Sequence, residues 1–362
     1  MNVAKWLRTA GPLLGLVLTW TLFAALEPGS FLSWSNQKLM LLQTAVVGIA
    51  AVGATWIIVS GGIDLSVGAN VALSSTVGAL VMKEGHGVVW ASLATVLTGA
   101  AVGWLIGALV VGALLRALVC GAIAAGAMFA AGSLGVLWSC LIGFVVGAGA
   151  WFATRRLRWA LPLSPFIVTL GLWGALRGIA KGASDNQGIY FEEQRGYAQL
   201  CALMEDGWLL APGVWVLLAV AVLASLLLRR SVFGRHVTAL GSSRETARLC
   251  GIDLPKTELR VYVLACLLAG VASVLQLSYL TVGDPTTAQG LELRAIAAAV
   301  IGGASLAGGE GAIVGTLLGA LIMTVVNNGC SKVGLDNWVQ EIVTGAIIVA
   351  AVALDRWRQG RS

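Results

Sequence analysis

The residues best placed to do chemistry form the octet Gly61-Gly62-Ile63-Asp64-Leu65-Ser66-Val67-Gly68, a polar, glycine-rich stretch set between two hydrophobic runs. A glycine loop invites phosphate binding, but the chain contains no GxxxxGK[ST] and no lysine follows these glycines, so no nucleotide binds by that motif. A carboxylate at membrane depth costs about 2.5 kcal/mol or more when ionised, and each glycine weakens a helix by roughly 1 kcal/mol. The octet therefore breaks a helix. Asp64 precedes Leu65, Ser66 and Val67 at the start of the next apolar run, where its expected role is to cap amides that lipid cannot satisfy. Contact with a passing solute, or binding of a driving cation in an ion-coupled transporter, is the alternative use of the same carboxylate.

The other chemical groups are sparse. No Ser/His/Asp set, paired carboxylates or His/Cys metal cluster occurs within the apolar runs, and His86 and His236 both fall in loops. Cys120, Cys140, Cys201, Cys250, Cys266 and Cys330 are scattered without a CxxC and read as small apolar fillers. Only the acidic stretch around Glu192 and Glu193 offers groups for a membrane-embedded enzyme, so no catalytic residue and no metal site is assigned.

The elements that position the octet are membrane helices. Of 362 residues 58% are hydrophobic and 11% charged, and the mean hydropathy of +0.89 lies outside the range of soluble domains. At about 20 residues per span, crossings are expected near 11 to 26, 39 to 60, 64 to 82, 88 to 115, 117 to 135, 137 to 154, 164 to 182, 212 to 228, 257 to 281, 291 to 306, 311 to 328 and 340 to 354. The fold class is thus an all-α polytopic membrane protein of about 10 to 12 transmembrane helices, with broken or re-entrant helices, forming a single transmembrane domain over 1 to 362. The stretches at 291 to 328 also fit re-entrant half-helices meeting at Gly308-Gly309.

Basic residues set the orientation. Sixteen of the 23 Lys and Arg fall in segments placed inside, which puts both termini in the cytoplasm. Lys5 and Arg8 are expected to mark a cytoplasmic end, with the first span as its own signal and a cleaved signal peptide over Gly11 to Leu26 as the alternative. The net charge of +6 belongs to these loops and implies no nucleic-acid partner. Residues 183 to 211 fall outside and the arginine-dense residues 229 to 260 inside.

A weak repeat runs at an offset of 241 residues: Gly61, Gly62, Leu65 and Gly68 recur as Gly302, Gly303, Leu306 and Gly309, again at a junction of two apolar runs. Both copies run in the same direction, as in transporters built from parallel repeats. In the inner loop, Ser242-Ser243-Arg244-Glu245 fits a capping box with Ser242 as N-cap, and Gly251 is placed to end a short helix over about 243 to 250. A rigid helix there suits docking of a soluble partner. Gly99, Gly103 and Gly107, and Gly311, Gly315 and Gly319, recur every four residues and predict close helix packing. Tryptophans such as Trp20, Trp34, Trp90 and Trp338 fall near span ends as interfacial anchors.

Taken together, the octet, Pro165-Phe166-Ile167-Val168-Thr169-Leu170-Gly171, the run Gly234 to Gly241 leading to Ala247-Arg248-Leu249-Cys250-Gly251-Ile252, Ala295 to Ala298 with Gly302 to Gly311, and Asn327-Asn328-Gly329 resemble the ribose-type permeases of ATP-binding-cassette importers, in the branched-chain amino acid/ribose permease family. The resemblance covers nearly all of the chain outside 88 to 135. It implies a bacterial inner-membrane subunit that passes a monosaccharide or similar small polar solute by alternating access. Its partners would be a cytoplasmic ATPase, which alone would bind ATP and magnesium, a periplasmic sugar-binding protein, a second permease copy and membrane lipid. No cofactor would be held by this chain. By position, Ser242, Glu245, Ala247 and Gly251 would belong to the coupling helix that docks on the ATPase. Asp64, Ser66 and Asn70, with Gly61, Gly62, Gly302 and Gly303 at the two breaks, would border the translocation pathway. One departure is the stretch 88 to 135, an apparent extra helix pair that preserves the parity of every later motif.

Overall fold

The structure is a computed structural model that describes residues 3–112, 163–191, 196–204 and 210–359. The expected crossings at 117 to 135 and 137 to 154, and the acidic pairs Glu192/Glu193 and Glu205/Asp206, lie outside the described residues. The described chain forms fourteen helices: α1 (Val3–Leu26), α2 (Pro28–Phe31), α3 (Trp34–Val59), α4 (Val67–Lys83), α5 (Val88–Val110), α6 (Pro165–Ala183), α7 (Tyr197–Cys201), α8 (Pro212–Arg230), α9 (Val232–Ser242), α10 (Arg244–Leu249), α11 (Leu254–Leu280), α12 (Leu291–Ile301), α13 (Ile313–Lys332) and α14 (Asn337–Gln359). Two short strands, β1 (Ile189–Tyr190) and β2 (Val282–Gly283), pair antiparallel.

Five described helices, α3, α5, α8, α11 and α13, are long and apolar enough to cross a membrane, and shorter apolar helices cover 11–26, 67–83 and 337–353. The protein is a multi-pass, all-α membrane protein. Helix starts follow local chemistry: α6, α8 and α11 each carry proline in the first turn, where its missing N–H is no loss. Helix α3 lies at the centre and is buried along most of its length. The expected glycine contacts are present: a methyl at Gly99 would meet the Cys266 carbonyl at 2.6 Å, and one at Gly107 would meet Leu259, so α5 lies backbone to backbone on α11.

Helices α3 and α13 are fastened twice. Asn36 and Asn328 exchange side-chain amide hydrogen bonds of 2.9 and 3.0 Å, and the Asn36 amide also donates to Phe31 O. Further along, Thr55 Oγ1 and Thr316 Oγ1 stand 2.7 Å apart, both buried.

One expected crossing is shorter than its span. Helix α12 has 11 residues, about 16 Å at 1.5 Å per residue, against about 30 Å of hydrocarbon. It is a half-helix, whereas α13, with 20 residues, is a full one. The irregular backbone that precedes α12 is satisfied internally, as membrane depth requires. Gly283 pairs with Ile189, Asp284 Oδ1 accepts from Thr286 N at 2.8 Å, and Arg177 Nη1 donates to Thr286 O and Thr287 O at 3.2 Å each.

Candidate translocation and coupling site

At the octet, the chain leaves α3 through Ser60 and Gly61. Gly61 adopts φ +83°, and its N–H reaches Ile58 O while that of Gly62 reaches Ile57 O, a helix stop that a residue with a Cβ would strain. Asp64 then turns the chain. Its Oδ1 accepts from Ser66 N at 2.7 Å and from Ser66 Oγ at 2.6 Å, and its Oδ2 accepts from the Cys266 thiol at 3.7 Å. The aspartate is 3% exposed. Its role departs from the expected one in detail. Helix α4 starts at Val67 with Ser66 in the cap position, and Asp64 closes a turn on Ser66 before the helix begins. The first α4 amides are not its partners, because the helix starts two residues later than the apolar pattern suggests.

Asn70, one turn into α4, donates to Cys266 O at 3.4 Å and accepts from Ser74 Oγ at 3.2 Å. A methyl at Gly62 would meet the Tyr262 hydroxyl at 2.7 Å, and Gly68 leaves room for the Glu292 carboxylate. Asp64, Ser66 and Asn70 thus sit in a buried polar seam among α4, α11 and α12.

The second break repeats this chemistry one residue out of the expected register. Gly303, φ +93°, carries the same stop: its N–H reaches Val300 O and that of Ala304 reaches Ala299 O. Gly61 therefore matches Gly303, and Gly302 matches Ser60. After the stop the offset of 241 returns, since Ser305 Oγ accepts from Ala307 N as Asp64 does from Ser66 N. Glycine identity alone aligned two neighbouring glycines, and only backbone conformation tells which is left-handed. Gly302 instead packs directly on the Gly315 backbone.

The two breaks and the basic inner segment meet at one place. Gly309 N donates to Val59 O at 2.9 Å, which ties the second break to the end of α3. Gly241, in the last turn of α9, lies against both: a methyl there would collide with Val59 O and stand 2.6 Å from Gly309 N. A methyl at Gly308 would stand 2.7 Å from Gly241 O and 3.0 Å from Gly61 Cα. Three backbones come together where a side chain at Gly241 or Gly308 would force them apart. At its other end α9 is held by Phe233, whose ring stacks on Trp56 of α3 at 5.5 Å.

Helix α10 follows at once. It is shorter than expected and its cap is shifted: Ser243, in an extended conformation, accepts from Thr246 N at 3.2 Å, while Ser242 closes α9 with its hydroxyl bonded to Thr238 O. Glu245 is accordingly the second helical residue. The cause is that α9 runs on through Ser242, which leaves only Ser243 with non-helical φ and ψ. Gly251 ends the helix at φ +79°, as expected. Arg244 forms two 2.9 Å contacts with Glu258 of α11 and fixes the base of α10. Ala247 is buried beneath it, Glu245 and Arg248 are exposed, and Leu249 is 82% exposed.

None of the seven residues expected along the pathway lines the polar cavity found elsewhere among α3, α11, α12 and α13, which is bordered by Gln43, Gln276, Gln289, Arg294 and Asn327. The sequence reading missed that cavity, since isolated amides in apolar runs carry no pattern. It also gave Gly241 no role of its own.

Comparisons with known proteins agree with this architecture. No solved structure matches the chain. The family model described as branched-chain amino acid transport system / permease component matches residues 113–352. The chain is 32% identical over 361 residues to the ribose import permease protein of Escherichia coli, covering 98% of this chain and 95% of that one. It is 31% identical over 358 residues to the D-allose transport system permease protein of the same species, covering 98% and 94%. To the L-arabinose ABC transporter permease protein of Azospirillum brasilense it is 30% identical over 352 residues, covering 96% and 88%. The family model covers the second break, α9 and α10, the relatives cover nearly the whole chain, and the chain belongs to the branched-chain amino acid transport system permease component family.

Proposed function

We propose that this chain is the membrane-spanning permease of an ATP-binding-cassette importer, which passes a monosaccharide inward by alternating access. The observation that carries the mechanism is the Gly61–Gly241–Gly308 junction, where the segment before an outward-facing docking helix touches both helix breaks through backbone alone. Movement of α10 on a partner ATPase would reach the breaks with no flexible side chain between. The named relatives support the substrate class, and the exposed Glu245, Arg248 and Leu249 support a partner on that face. In this reading α9 and α10 face the cytoplasm of a bacterial inner membrane, where the ATPase would hold ATP and magnesium. A periplasmic binding protein would deliver the sugar to the opposite end, and two permease copies would share one transporter.

The ion-coupled alternative draws no support from the octet, because both Asp64 oxygens already accept hydrogen bonds from the protein. Purification from the native host in mild detergent tests the reading. Recovery of an ATPase and a sugar-binding protein is expected, and Leu249→Asp should abolish recovery of the ATPase while the permease still inserts. Sugar uptake that collapses with an uncoupler and needs no ATPase would refute it.

A further inference from the structure

The cavity of about 180 Å³ lies toward the end opposite α9 and α10, between the first half of α3 and the last turns of α13. Its polar lining is rich: Gln43, Gln276, Gln289, Arg294, Thr324 and Asn327, with the Tyr279 ring beside them. Much of this capacity is unused within the protein. Gln276 gives one amide bond to Thr287 and Asn327 one to Gln340. Gln43, Gln289 and Arg294 make no side-chain hydrogen bond to another described residue. Gln43 and Arg294 are part-exposed and Gln289 is exposed, so these groups face open space and not packed protein. A set of amides that both donate and accept, plus a five-donor guanidinium, suits a ligand whose own groups both donate and accept, as hydroxyls do.

Size and charge narrow the ligand further. An apolar cavity of about 150 Å³ takes one benzene ring, so 180 Å³ admits a single six-membered ring and not two. Arg294 is accompanied two residues earlier by Glu292, buried behind the wall beside Gly68, so the pair adds no net charge to the site. That favours a neutral ligand over an acid.

We infer that this cavity is the permease's own solute-binding site, that it takes one neutral polyhydroxylated ring, and that Arg294 anchors it. The inference rests on the importer reading and deepens it, since it places part of the selectivity in the permease as well as in the binding protein.

The test uses the complete importer, with its ATPase and binding protein, in proteoliposomes supplied with ATP and radiolabelled D-ribose, D-allose or L-arabinose. If none of the three accumulates, the importer reading itself fails. If one does, Arg294→Leu and the double change Gln43→Leu with Gln289→Leu should each cut its uptake about 10- to 100-fold, the effect of losing charge-assisted or paired hydrogen bonds. ATP hydrolysis stimulated by the binding protein should stay within about twofold, because the coupling face is untouched. Unchanged uptake overturns the cavity assignment alone. So does a parallel fall of uptake and hydrolysis in both variants and in the milder Arg294→Lys.

A second measurement needs no partner. In lipid nanodiscs, a Gln289→Cys permease should be protected at position 289 from a small charged thiol reagent by millimolar amounts of the transported sugar, read by peptide mass spectrometry. Lactose and gluconate should not protect. Equal protection by lactose would overturn the single-ring assignment, and equal protection by gluconate the neutral one.

Discussion

Replacing Gly241 by alanine separates a transmission point from an ordinary helical glycine by sign as well as size. Gly241 lies inside α9, where alanine is the better helix former by about 1 kcal/mol. With open space around it, Gly241→Ala would raise stability. The added methyl instead collides with Val59 O and comes within 2.6 Å of Gly309 N. Both are backbone atoms that no rotamer change can move aside, so the overpacking cost of about 1–3 kcal/mol applies, toward its upper end. That strain exists only while the three backbones touch, so it shifts the balance between closed and parted junctions by about 5- to 150-fold. In reconstituted importer, Gly241→Ala should assemble with the ATPase yet lower sugar uptake by that order, with ATP hydrolysis no longer dependent on the loaded binding protein. Gly345→Ala, in α14 with nothing within 4 Å of the new methyl, is the matched control and should leave uptake unchanged. Normal coupled uptake in Gly241→Ala, or a rise in its melting temperature like that of the control, would refute transmission through this junction.

Three further outcomes are expected. Ser243→Ala should weaken capture of the ATPase about fivefold through loss of a cap of roughly 1 kcal/mol, whereas Ser242→Ala should not, as titration of detergent-solubilised permease with the ATPase would show. Asn36→Leu should lower the melting temperature by leaving the buried Asn328 amide without its partner, at about 1–3 kcal/mol, and the double change with Asn328→Leu should recover much of the loss. Asp253 caps α11 through Lys256 N, and the hydrogen bond and charge from the Lys256 side chain hold its carboxyl below the usual range. A lowered folded-state pKa means that this stabilisation is full above the unfolded value of about 3.9 and is lost as pH falls through the folded one. The melting difference between wild type and Asp253→Ala should therefore hold steady down to about pH 4 and shrink only below it.

The sequence carried the parts of this fold that local chemistry dictates. Glycine and proline punctuation placed both breaks and the end of α10, and four-residue glycine spacing foretold close packing of α5, though not that its partner is α11. Long apolar runs gave five described helices of crossing length, and of the half-helices allowed over 291 to 328 only α12 is one, while α13 is full length. One-residue errors at Ser242 and Gly302 share a cause: adjacent serines or glycines are chemically equal until φ and ψ distinguish them. Asp64 was expected as a helix cap from its neighbours and instead closes a turn on Ser66, while its thiol partner Cys266 lies 202 residues away. The Gly241 junction and the amide-lined cavity were illegible for the same reason, since each is assembled from segments that only the packed fold brings together.

The double fastening of α3 to α13 has a mechanical consequence. Two rods joined at a single point can scissor, but rods pinned at Asn36–Asn328 and again at Thr55–Thr316 behave as one strut. Gln43, Thr324 and Asn327 stand on that strut, while Gln276 and Arg294 stand on α11 and α12 across from it. Those two helices pack on the strut in turn, α12 through Ala298 and Gly302 against Gly319 and Gly315, and α11 through Ala265 against Gly53, so the cavity is walled by elements that brace one another.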